Sequence, residues 1–149
     1  ATLLLTPEAT NILTPDRDRQ RALLVPESED PTLAALRDAA RELGVWLSVG
    51  SLSLRQDDPA EDRFVNRSFL LAPDGEIAAR YDKIHMFDVT ISETESYRES
   101  AAYRPGAQAV LAAGPPPMVL RIPACLPVHR MPRARLQLSS PLAHTGPRP

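Results

Sequence analysis

Apolar and polar positions alternate along the chain in short, well-punctuated blocks. Leu3 to Thr6 is an apolar run closed by Pro7, the pattern of a buried parallel strand over 2–6, and Glu8 stands where that strand finishes. Between Asp16 and Val25 charged and apolar residues alternate loosely, which predicts a short helix over 16–24 closed by Pro26. Asp30 then offers an N-cap and Pro31 fits the first helical turn. Leu33, Leu36, Ala40 and Leu43 recur at helical spacing until Gly44, so a helix is expected over 31–43. Val45 to Val49 follows directly as a strand over 45–50, and the order strand, helix, strand predicts a parallel pair joined by a right-handed crossover. Phe64 to Ala72 and Glu76 to Asp82 read as strands over 64–72 and 76–82. Pro73-Asp74-Gly75 joins them into a hairpin because glycine takes a positive φ without a Cβ clash. Ile84 to Tyr103 is polar and aperiodic, a long loop of the kind that carries function, and Gln108 to Ala112 supplies one more strand over 108–112. The class is α/β, with no internal repeat.

Composition divides this pattern in two. Every Asp and Glu lies at or before Glu99, and from Gly114 onward the charged residues are five arginines and two histidines among Pro115-Pro116-Pro117 and six further prolines. Proline removes backbone donors and excludes helix interiors and central strands, so residues 1–113 are expected to form one domain and 114–149 an irregular or disordered Pro/Arg-rich tail. The length of 149 residues accommodates one core, not two. A formal net charge of -2 provides no electrostatic footprint for nucleic acid or an anionic membrane, and no apolar stretch nears the roughly 20 residues of a membrane span. Cys125 is the single cysteine and has no internal disulfide partner, which suits a reducing compartment, with the cytoplasm as the default. The start at Ala1, inside a strand-like run, suggests a fragment or a processed start.

Candidate chemistry centres on Lys83, the only lysine in a chain whose other basic side chains are arginines. Its ammonium is a compact point charge with three donors, and its pKa responds to surroundings as a guanidinium's does not. It lies in Tyr81-Asp82-Lys83-Ile84-His85-Met86-Phe87-Asp88, at the end of a hairpin strand that would hold it firmly. This run resembles the lysine signature of the nitrilase superfamily of carbon-nitrogen hydrolases. Three further stretches follow that family's order: Leu4-Leu5-Thr6-Pro7-Glu8, Phe64-Val65-Asn66-Arg67-Ser68, and Glu99-Ser100 before Arg104-Pro105-Gly106. The resemblance covers about residues 1 to 113, and the Lys-Ile-His-Met-Phe-Asp run is most similar to small-amide amidases of the omega-amidase and deaminated glutathione amidase types.

The resemblance implies part of an α-β-β-α sandwich that pairs as a homodimer in intact relatives. It implies hydrolysis of a small linear amide without metal or organic cofactor. Glu8 would be the general base and acid, Lys83 the oxyanion stabiliser, and Glu99 a second glutamate that orients the site. His85 would fix the lysine loop by hydrogen bonding; Asp82, His85 and Asp88 lack a recognisable metal-ligand spacing. Cys125 is the candidate nucleophile. It follows Arg104 at about the distance expected, but its surroundings, Ile122-Pro123-Ala124-Cys125-Leu126-Pro127, differ from the apolar-Cys-Tyr-Asp elbow of the family. A catalytically dead fragment or interaction protein of the same ancestry is the alternative, and an unrelated α/β binding domain finds no glycine-rich phosphate loop in its support.

The loss of acids, the excess of proline and the missing elbow share one explanation, a shifted reading frame or mispredicted gene end near Ala113. Reading the codons for Ala109 to Leu126 in all three frames checks it. An apolar-Cys-Tyr-Asp elbow in another frame would remove Cys125 from the site, and no such elbow in any frame would make the tail genuine and keep Cys125 as the candidate thiol.

Overall fold

The computed structural model describes residues 1–58, 60–92 and 96–115, and the backbone of 119–122. Its main body is a four-stranded sheet in the order β1 (Leu3–Leu5), β2 (Trp46–Leu54), β3 (Val65–Leu71), β4 (Ile77–Asp82). β1 runs parallel to β2, with Leu3 opposite Trp46 and Leu5 opposite Ser48, as the crossover through two helices requires. The β2–β3 and β3–β4 pairs are antiparallel. The helices are α1 (Arg17–Leu23) and α2 (Pro31–Leu43). Among the described residues two short pairs add to these strands: β5 (Asp88–Thr90) with β6 (Ser96–Arg98), and β7 (Val110–Ala113) with β8 (Val119–Ile122).

Helix α2 forms where its punctuation predicts. The Asp30 carboxylate accepts the Leu33 N–H at 2.7 Å, Pro31 opens the first turn, and Gly44 closes the helix at φ 61 in the left-handed region. The helix buries Leu33 and Ala40 against Leu47, Val49, Leu52 and Leu54 of β2 and Val65, Phe69 and Leu71 of β3. Each large side chain withdrawn from water in this way contributes roughly 1.5–3 kcal/mol. The exposed ion pairs of the surface are worth about 0–1 kcal/mol apiece, so this apolar layer sets the sheet's position.

The spacing within β2 decides which of its residues share a face. Val49 and Leu52 are three residues apart, so in a regular strand they would face opposite ways. The register of β2 against β3 shifts between them, and this bulge returns Leu52 and Leu54 to the helix side. Ser51 and Ser53 thereby join Asn66 on the other face, where all three are buried polar residues. The sheet thus has an apolar face under α2 and an opposite face on which these polar residues share the buried surface with Leu70. Turn 72–76 of the β3–β4 hairpin has Gly75 at φ 80, and the Arg37 and Arg41 side chains of α2 donate to the carbonyls of Gly75 and Asp74 at 2.8 and 3.0 Å.

Three expectations change. β1 is not buried: it lies at the edge of the sheet, paired on one side only, and Leu5 is 71% exposed. Leu43 is 62% exposed, since at 3.6 residues per turn it falls about 80° round the helix from Leu33. The loop from 84 to 103 contains the β5–β6 pair and a 3-10 turn at Glu99–Ala101, elements of three residues that are too short to produce a readable period. Within the tail, strand β8 occupies the proline-free stretch Val119–Ile122 between Pro117 and Pro123. The remainder of the tail, Cys125 included, lies outside the described residues. Among the described residues no helix is long and apolar enough to cross a membrane.

Asp30 is itself buried, and its second oxygen receives the Asn11 side-chain amide at 3.3 Å. Asp30→Ala is therefore expected to lower stability by about 1–2 kcal/mol, the upper part of the range for a lost N-cap, in urea denaturation.

Candidate active site

Three charged side chains from distant segments meet on the polar face. The Lys83 ammonium lies 2.9 Å from Oε1 of Glu8, 2.9 Å from Oε1 of Glu99 and 3.0 Å from Oε2 of Glu99. Lys83 is the first residue after β4, and its backbone is held on both sides. Its N–H donates to the Asn66 carbonyl at 2.9 Å, and its carbonyl accepts the Gly106 N–H at 2.8 Å. Gly106 comes so near that a Cβ there would stand 2.4 Å from the Asp82 carbonyl oxygen. The Pro-Gly element of the sequence thus has a steric task, which is to let residues 104–106 lie against the end of β4. The neighbouring Asp82 faces away from the site, gripped by both arms of the Arg67 guanidinium at 2.6 and 2.9 Å, and Asp88 accepts from the Ser100 backbone and hydroxyl. Among the described residues no group of three or more His, Cys, Asp or Glu is arranged to hold a metal ion.

Glu99 is the anchor of the trio. Its side chain is 7% exposed, and a carboxylate so withdrawn from water needs compensation. Besides Lys83 it accepts the Phe87 backbone N–H, while its own N–H donates to the Phe87 carbonyl at 3.3 Å. The 3-10 turn that begins at Glu99 returns the chain to β3: Phe64 N–H donates to the Ala102 carbonyl and Arg104 N–H to the Phe64 carbonyl, both at 2.8 Å. Glu8 is the outward partner, with its side chain 59% exposed against 28% for Lys83. The Asn66 amide donates to the same Glu8 oxygen at 2.8 Å.

These contacts set the charges. The hydrogen bond from Lys83 holds the Glu8 carboxyl below its ordinary 4.5, with Asn66 assisting and partial burial opposing. For Lys83, burial alone would depress the ammonium, but the hydrogen bonds to Glu99 and Glu8 outweigh it together and hold the group above 10.5. At neutral pH Glu8 is a carboxylate able to accept a proton, and Lys83 is a cation beside it. Around them is a cleft of about 340 Å³ lined also by Ser53, Asn66 and Tyr103, with Ile12, Leu13, Phe87 and Tyr97 as an apolar rim. The Tyr103 hydroxyl lies 2.9 Å from that of Ser53, and burial, with the charge of Glu99, raises its pKa above 10.0.

A carbon-nitrogen hydrolase family model matches residues 1–138. The chain belongs to the carbon-nitrogen hydrolase family. Among relatives of this chain, the deaminated glutathione amidase of Yersinia enterocolitica is 37% identical over 114 residues, covering 76% of this chain. The omega-amidase NIT2 of Homo sapiens is 33% identical over 73 residues, covering 48% of this chain. The chain spans 39% of the length of the first and 24% of the second. Among solved structures, a variant of the amidase from Nesterenkonia sp. AN1, showing Michael addition of acrylamide at its active-site cysteine, superposes with a TM-score of 0.57 at 26% identity. The match covers 76% of this chain and 40% of that one.

Of the four site residues read from the sequence, the fold brings together Glu8, Lys83 and Glu99, while Cys125 lies outside the described residues. Asn66, Ser53 and Tyr103 join the site without having been expected there. Asn66 was legible only as part of the stretch Phe64-Val65-Asn66-Arg67-Ser68 that resembled the family hairpin. Tyr103 and Ser53 carried no local signal.

The pH dependence comes from the directions of the shifts. Lowered in the fold, Glu8 contributes stability that is present above 4.5 and lost as pH falls through its folded value; raised, Lys83 contributes stability that is present below 10.5 and lost as pH rises through its own. Lys83→Met is expected to cost about 3 kcal/mol at neutral pH, mainly because Glu99 is left buried without its cation. In denaturant titrations across pH, the difference from wild type should be widest between 4.5 and 10.5 and narrow outside that window.

Proposed function

We propose that this carbon-nitrogen hydrolase cleaves the C–N bond of a small linear amide to give a carboxylic acid and ammonia. What supports the reading is the meeting of Glu8, Lys83 and Glu99 in one cleft, in the order and chemistry of the family motifs. A cysteine thiolate attacks the amide carbonyl, and Lys83 stabilises the oxyanion that forms. Glu8 takes the thiol proton, passes it to the departing ammonia, then removes a proton from the water that attacks the thioester and returns it to the thiol. Glu99 holds Lys83 in place from the buried side. Cys125, the single thiol of the 149 residues, is the nucleophile this chain offers.

The reaction draws on no metal or organic cofactor, and the reducing cytoplasm is its natural setting, since it keeps the thiol free. The four-stranded sheet with α2 on one face fits one half of an α-β-β-α sandwich, and a homodimer is the assembly expected of the whole protein. The partner of the site is a small neutral amide, taken between the charged floor and the apolar rim of the cleft.

Ammonia release from short-chain amides tests the proposal. Glu8→Gln and Lys83→Ala are each expected to lower kcat/KM by about 10²–10⁴, the range for removing a positioned acid-base or oxyanion group, and Cys125→Ala to abolish turnover. Hydrolysis unaffected by Lys83→Ala would overturn the assignment of the site, and hydrolysis unaffected by Cys125→Ala would move the nucleophile elsewhere.

A further inference from the structure

We infer that Ser51 is a positioning residue for Glu8, clamping the turn at Ala9 in the left-handed conformation that delivers the carboxylate to Lys83. Among the described residues Ala9 is the one non-glycine with positive φ, at 53. An L-residue with a Cβ persists there only where its surroundings hold it. Ser51 supplies the hold. Its hydroxyl accepts the Ala9 N–H at 2.9 Å, its carbonyl accepts the Thr10 N–H at 2.9 Å, and its own N–H donates to the Pro7 carbonyl at 3.3 Å.

The adjoining residue makes this approach possible. A Cβ on Gly50 would stand 2.5 Å from the Thr6 carbonyl oxygen and 2.6 Å from that of Pro7, so the turn rests directly on the backbone of β2. The Thr10 hydroxyl closes the turn by donating to the Pro7 carbonyl at 2.7 Å. Glu8 is therefore stapled to β2 both before and after its own position, and its carboxylate points at Lys83 because its backbone has no other course. Ser51 is 1% exposed in a strand otherwise rich in leucine. A buried hydroxyl costs free energy unless it is hydrogen-bonded, and here the bond goes to the strained turn. The β2 bulge supplies the orientation, since without it residue 51 would not share a face with Asn66.

Glu8 reports on the clamp through its midpoint of titration. The groups that face it are the Lys83 ammonium at the end of β4, the Asn66 amide on β3, Glu99 behind Lys83, and Tyr103 in the same cleft. Carbon-13 NMR of the glutamate carboxyls in the intact chain, assigned with Glu8→Gln, reads it without turnover. Ser51→Ala is expected to move the Glu8 midpoint upward toward 4.5, as the contact with Lys83 loosens. Ala9→Gly alone is expected to leave it unmoved. The double variant should return to the wild-type midpoint, because glycine takes the left-handed turn without the clamp. If Ser51→Ala does not fold, Ala9→Val substitutes for it, since a β-branched residue raises the left-handed penalty with Ser51 intact and is expected to give the same upward shift. An unmoved midpoint in Ser51→Ala or in Ala9→Val, or a double variant that stays with Ser51→Ala, overturns the inference. The role rests on Glu8 as the proton-transfer group. A chain showing the expected titrations but no amide hydrolysis would overturn that reading and leave the clamp standing.

Discussion

The arrangement depends on one ammonium shared by two carboxylates of unequal exposure. Glu8 and Glu99 lie 75 and 16 positions from Lys83 along the chain, and the ion pairs between them tie the end of β1, the end of β4 and the long loop after it into one place. The asymmetry gives each carboxylate a different task. Glu99 is withdrawn from water and is bound to Lys83 through both oxygens, so it anchors the cation. Glu8 stands toward solvent and shares a single oxygen with Lys83 and Asn66, which leaves its other oxygen open to the cleft. Inside a protein an isolated charge is costly and a paired one is tolerated, so each member of the trio makes the burial of the next acceptable.

That trio needs a sheet with two unlike faces. The helix side is closed by leucine, valine and phenylalanine packed on α2, and the opposite side carries Ser51, Ser53 and Asn66. A strictly alternating β2 could not supply both after Val49, and the bulge at Gly50 and Ser51 resets the alternation. The same two residues receive the turn that bears Glu8. Packing on one face and the placement of a charged group on the other therefore have a common origin in two residues of one strand. Gly106 plays the matching part at the other end, where its missing side chain lets the loop after Glu99 lie against Asp82 and Lys83.

Much of this was written in local signals. Asp30, Pro31 and Gly44 mark both ends of α2, and Pro73-Asp74-Gly75 marks the hairpin, because caps and turns are satisfied by residues a few positions away. Glu8, Lys83 and Glu99 were recognisable because each sits in a short run of fixed order; Glu8 and Lys83 meet from strand ends that the pattern had placed, and Glu99 arrives on the loop whose elements it did not show. Leu5 and Leu43 misled the same reasoning, since an apolar residue announces only that it can be buried and not that a neighbour is there to bury it.

By itself the sequence determined α1, α2, strands β1 to β4 and β7, and the α/β class, all of which rest on interactions a few residues long or on side-chain type. Only the tertiary structure decided which way each residue faces and how far each charge is exposed. The phase of β2 turns on a single bulge, and the positive φ of Ala9 exists only because Ser51 reaches it from across a fold of more than forty residues. The service of Asn66 to both Glu8 and Lys83 likewise arises from contacts that close long loops. No local pattern encodes such contacts, because their free energy is gained only when the whole sheet has formed.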